Sequence, residues 1–165
     1  MNKKVVPQDF TLSLALFDFL PVLFFGGTII LVGLMFSSKL FLLGAFLCLF
    51  AGLSKVIWKM IVVLKKKNVW FLFVQMRITM PIGFLLMIIS LFLNKDRINI
   101  NAVLSNVLSM PSIVFYIIGL IGMLLMLVFG FMLDGSKQKN NWIEQVTNTI
   151  EQACVFIGTL IIYIK

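Results

Sequence analysis

Six ionisable side chains lie inside the apolar stretches of this 165-residue chain: Asp18, Lys55, Lys59, Arg77, Glu144 and Glu151. Three are acids and three are bases. Holding one such group at the centre of a membrane helix costs roughly 2.5–3.5 kcal/mol on insertion scales. A chain that carries six must pair them, hydrate them or use them. If used, Lys55, Lys59 and Arg77 suit a carboxylate or phosphate, and Asp18 or Glu151 suits a cation or a coupling proton. The residue types therefore point to recognition of a small charged or zwitterionic molecule.

Span 5 carries the densest polar pattern. Glu144, Gln145, Asn148, Glu151 and Gln152 recur at i, i+1, i+4, i+7 and i+8, on one side of a helix. A polar stripe two turns long belongs against the bundle interior, water or a ligand. Lys55 and Lys59 are one turn apart on span 2. Two prolines stand near charges. Pro21 withholds a backbone hydrogen bond from the Phe17 carbonyl and Pro81 from that of Arg77, so each is a candidate hinge.

These residues need helices to position them. The chain is 61% apolar, against about 45–50% in a soluble domain. Its apolar stretches cover residues 11–36, 40–64, 69–93, 111–133 and 142–163. Each reaches the ~20 residues needed to cross a bilayer as a helix, and none alternates as a membrane β-strand would. The expected fold is all-α: a polytopic membrane protein, residues 1–165 forming one up-down bundle of five helices. The stretch from Leu12 to Phe36 is too long for a cleaved signal peptide and reads as a retained first span. Between spans 3 and 4, Ile100, Val103, Leu104, Val107 and Leu108 recur at helical spacing, which predicts a short helix on the membrane surface.

The net charge of +8 comes from helix ends and loops, because the six embedded charges cancel. No nucleic-acid partner is implied. One side carries seven basic residues, Lys3, Lys4, Lys65, Lys66, Lys67, Lys137 and Lys139. The other carries four, Lys39, Lys95, Arg97 and Lys165. That asymmetry predicts a cytoplasmic N-terminus and an external C-terminus, in a plasma membrane of the bacterial kind.

Depth then groups the charges. At 1.5 Å per residue, Asp18, Lys55, Arg77 and Glu151 all fall ~10–14 Å below the predicted cytoplasmic surface, with Lys59 and Glu144 nearer the rim. The expectation is one charged cavity lined by spans 1, 2, 3 and 5. On span 2, Gly44, Cys48 and Gly52 form a small-residue run suited to close helix packing. Span 4 has no ionisable residue except Tyr116. It is expected to face lipid, or to meet a second copy or another membrane subunit through Gly119, Gly122 and Gly130.

Some classes are excluded. The chain has no histidine, the commonest metal and haem ligand and the usual proton carrier near neutral pH. No serine or cysteine stands beside an obvious base. No metal, cofactor or enzymatic activity is expected, and Cys48 and Cys154 read as small packed hydrophobes. The competing reading of the charges is structural: an accessory membrane subunit in which ion pairs only fix helix packing.

Overall fold

The structure, a computed structural model, describes residues 11–134 and 137–165, the side chain of Arg97 excepted. Lys3 and Lys4 of the charge asymmetry lie outside the described residues. The first span consists of α1 (Leu12–Phe17) and α2 (Phe19–Met35). The second is α3 (Lys39–Lys65) and the third α4 (Trp70–Leu93). A 3-10 turn at Lys95–Arg97 leads into the short α5 (Ile100–Leu108). The fourth span is α6 (Ser112–Met132) and the fifth α7 (Gln138–Ile164). Five of these segments are long and apolar enough to cross a membrane. The protein is an integral, polytopic, all-helical membrane protein.

Local chemistry sets the boundaries. Thr11, Ser38 and Asn99 sit at N-caps, and their side-chain oxygens accept from the backbone N–H of Leu14, Phe41 and Ala102. Ser37 (φ 49°) and Lys66 (φ 51°) adopt left-handed backbone at the two tight connections. Helix α7 begins at Gln138, ahead of the apolar stretch that starts near residue 142. Apolar length marks where hydrocarbon ends, whereas a helix can continue into water on its own backbone bonds.

Pro21 has the local effect expected of it. It has no N–H to offer the Phe17 carbonyl, and the helix is interrupted at Asp18, between α1 and α2. Helix α4 runs through Pro81 without a break. There the one lost bond is outweighed by the remaining bonds of a 24-residue helix.

The spans pack in the order α4, α3, α2, α7, α6. The first three spans are therefore neighbours in reverse order, the fifth closes on the first, and the fourth lies outermost beyond the fifth. Helices α4 and α6 occupy the two ends of this row, which is why the connection between them is the longest. Helix α5 lies along that connection and touches α6 and α7. The side chains of Ile100, Leu104 and Leu108 are exposed, as on a helix resting on a membrane surface.

Small residues allow the close approaches. A Cβ on Gly44 would come 2.5 Å from the Gly83 carbonyl oxygen, so the α3 and α4 backbones meet there. Cys48 Sγ lies 3.6 Å from the Met80 carbonyl oxygen one turn on. Gly52 faces Val22 of α2. At the far end, Ser38 and Ser90 share a buried hydrogen bond of 2.5 Å that ties the α2–α3 connection to α4.

Candidate functional site

The break before Pro21 leaves Asp18 buried, 6% exposed, on the interior side of the first span. Its two carboxylate oxygens are both used. Lys59 Nζ of α3 pairs with Oδ2, and Gln145 Nε2 of α7 donates to Oδ1. Three helices thus meet at one carboxylate. Counted from the lysine-rich ends of their helices, Asp18 and Lys59 lie six residues in and Gln145 seven, which brings the three side chains to one level. Lys59 was expected at the rim, yet it is the direct partner of Asp18. A tilted ring contact of Phe17 with Trp142, centroids 5.5 Å apart, holds the same α1–α7 corner.

Beside this joint lies a cleft of about 320 Å³. The first span gives it Asp18, Pro21, Val22 and Phe25, and α3 gives Gly52 and Lys55. Asn148 and Gln152 of α7 supply amides. Met76, Met80 and Phe84 of α4 form an apolar wall. Phe25 and Phe84, with centroids 6.0 Å apart, make an aromatic floor near the middle of their spans. The four spans lining the cleft are 1, 2, 3 and 5.

The charges divide unevenly around it. Asp18 and Lys59 neutralise one another. Lys55, one turn deeper on the same face of α3, forms no ion pair or hydrogen bond among the described residues. Its ammonium lies within Coulombic reach of both Asp18 and Lys59. The cleft therefore holds one surplus positive charge, the amides of Asn148 and Gln152, and a wall of thioether and aromatic surface.

Arg77, Glu144 and Glu151 do not join Lys55. Arg77 is exposed, its guanidinium carbon 4.9 Å from the Phe73 ring centroid. It shares Asp18's depth, but it stands about 100° around α4 from the cleft-lining Met76. Reaching back over Phe73, its long side chain can approach the head groups. Glu144 is half-buried and makes no polar contact among the described residues. Glu151 is 4% exposed and faces α6, where a Cβ on Gly122 would come 2.7 Å from its Cβ. Gln152 Nε2 donates to its Oε1 at 2.9 Å.

That packing also alters the expectation for span 4. Gly119 and Gly122 are occupied by Val155 and Glu151 of α7. Of the three glycines only Gly130 has nothing within 4 Å, so an α6 contact through the other two is already filled within the chain. Among the described residues no cluster of three or more His, Cys, Asp or Glu side chains is placed to hold a metal ion.

Sequence reasoning missed the α4 wall, because Met76, Met80 and Phe84 are apolar residues within an apolar helix and carry no signal of their own. It also missed the hydrogen bond of 3.0 Å from Trp58 Nε1 to Asn68 Oδ1, which holds the α3–α4 connection. No protein-family model matches the chain, and no curated protein or solved structure matches it either.

Proposed function

We propose that this protein binds a small anionic or zwitterionic molecule in the cleft between spans 1, 2, 3 and 5, and that the cleft opens towards the cytoplasm. The observation that carries the reading is Lys55. An ammonium at this depth without an ion pair is costly in a bilayer, and the neighbouring Asp18 is already committed to Lys59 and Gln145. An anionic group on a ligand would supply the missing countercharge. Asn148 and Gln152 would orient it through donors and acceptors, and Met76, Met80 and Phe84 would cover an apolar portion. The volume of about 320 Å³ lies at the small end of ligand pockets, so a molecule of amino-acid size is favoured. The break before Pro21 supplies a place for the first span to flex if binding leads on to transport. The excess of basic residues on the side of Lys65, Lys66 and Lys67 supports a cytoplasmic opening.

The test is thermal stabilisation of the purified protein in lipid nanodiscs by a panel of amino acids, small carboxylates, inorganic phosphate, nucleotides, lipids and porphyrins. One class should raise the melting temperature of the wild type, and Lys55→Met should fold but lose the response. A panel without effect, or an unchanged response in Lys55→Met, sinks the proposal. The Asp18–Lys59–Gln145 joint favours a second reading, because it is saturated and ties three helices. In that reading the protein is a structural or accessory subunit, and Lys55→Met alters neither folding nor phenotype.

A further inference from the structure

A second polar site lies on the adjacent face of α7, turned towards α6 and away from Lys55. Glu151 is the middle residue of the 27-residue α7 and is 4% exposed. It has no cationic partner among the described residues. A carboxylate at mid-membrane with no countercharge costs several kcal/mol, and a proton or a bound cation removes most of that cost. Its burial is built into the fold: Gly119 and Gly122 bring α6 close enough that a Cβ at Gly122 would collide with the Glu151 side chain.

Glu151 also has access. It lines a groove of about 440 Å³ between α6 and α7 with Asn148, and Leu120, Met123, Leu124, Met126 and Leu127 supply the apolar side. Most of those α6 side chains are exposed, so the groove opens outwards to lipid. The oxygen-bearing groups at hand are the Glu151 carboxylate, the Asn148 amide and the Gln152 amide, which is hydrogen-bonded to Glu151 at 2.9 Å. They are hard ligands of the kind that suit a proton or an alkali cation rather than a soft metal. The facing helix α6 carries no charged side chain. Its one ionisable group, Tyr116, is bonded to Thr159 at 3.0 Å. On the first span, which also packs against α7, Asp18 between α1 and α2 is held by Lys59 and Gln145. On α7 itself the nearest ionisable groups are the Cys154 thiol, three residues on, and Glu144, two turns back.

We propose that Glu151 is an exchangeable binding site for one monovalent cation, a proton or a sodium ion, at mid-membrane between α6 and α7. The site does not depend on the ligand reading of the cleft. It does share structure with it: Asn148 lines both cavities, and Gln152 lines the cleft while donating to Glu151. When Glu151 takes up a proton, one of its oxygens becomes a donor, and the Gln152 amide can turn its own N–H groups towards the cleft. Cation uptake would then favour an anion in the cleft, and the reverse would hold equally.

A hydrophobic carbodiimide tests the site with the full chain in lipid nanodiscs and needs no ligand. The carboxyl proton passes to a carbodiimide nitrogen while the carboxyl oxygen bonds to the central carbon. The O-acylisourea then rearranges to an N-acylurea, so the mapped peptide gains the mass of one reagent molecule. Glu151 should be modified in the wild type, and Glu151→Gln should leave that peptide unmodified. Protection by sodium chloride, but not by equal N-methylglucamine chloride, identifies sodium. Labelling that falls as pH rises and ignores sodium identifies a proton. Absence of label on wild-type Glu151 from mildly acidic to mildly alkaline pH overturns the proposal. Labelling that is identical at every pH and in sodium also overturns it, because it marks a permanently neutral structural carboxyl.

Discussion

Replacing Lys59 by methionine removes the cation paired with Asp18 and leaves a buried carboxylate with the Gln145 amide as its hydrogen-bond partner and Lys55 within Coulombic reach. The side chains of Lys59 and Asp18 are 12% and 8% exposed, so neither is rescued by water where it stands. An orphaned charge at helix-centre depth costs roughly 2.5–3.5 kcal/mol. Asp18 lies ~10 Å from the start of its span, short of the centre, and the retained hydrogen bond together with the attraction of Lys55 offsets ~1 kcal/mol. Lys59→Met should therefore destabilise by about 2 kcal/mol. The reverse replacement, Asp18→Asn, leaves Lys59 ~9 Å from the end of α3, and its flexible chain can carry the ammonium towards the head groups. That change should cost about 1 kcal/mol or less. The double variant loses both charges and should resemble Asp18→Asn alone, giving a coupling of ~2 kcal/mol. The assay is reversible unfolding in mixed micelles, followed by circular dichroism. If Lys59→Met is no worse than Asp18→Asn, or if the two effects simply add, the joint is not a buried pair and the reasoning fails.

Two further predictions address packing and topology. Gly44→Val should cost at least ~1–3 kcal/mol by overpacking, because its Cβ meets the Gly83 backbone at 2.5 Å. Gly130→Val, with nothing within 4 Å, should stay within about 0.5 kcal/mol of wild type; equal costs at the two sites in the same unfolding assay would contradict the α3–α4 contact. With Cys48 and Cys154 replaced by alanine, single cysteines at Lys66 and Ser105 should react with an impermeant maleimide from opposite faces of a sealed cell, position 105 from outside. Both reacting from one face would refute the topology, and an exchange of faces would refute only the N-terminus-inside orientation.

The spans and the surface helix were legible in the sequence because a bilayer imposes a length on every crossing and α5 keeps an amphipathic period. Depth was legible only in part: counting residues placed Asp18 and Lys55 in one half of the bundle but put Lys59, the partner of Asp18, nearer the rim. Rotation about each helix axis was not. Arg77 lies as deep as Asp18 yet points outwards, and Glu151 turns towards α6 although the polar stripe it shares with Asn148 borders the cleft. Helix rotation is decided by where backbones approach most closely, at Gly44 against Gly83 and at Gly122 against Glu151. Such pairings join residues far apart in the chain, and one sequence does not announce them.

The packing order α4, α3, α2, α7, α6 has a consequence for how the protein is made. As the chain emerges from its N-terminus, the first three spans can assemble as soon as α4 is inserted, with Lys59 already in place for Asp18. Gln145 arrives only with the final helix. The second oxygen of Asp18 and the α7 wall of the cleft therefore wait for the end of synthesis. A chain arrested before α7 would display an incompletely bonded carboxylate within the bilayer, a feature by which a membrane quality-control protease could tell an unfinished molecule from a finished one.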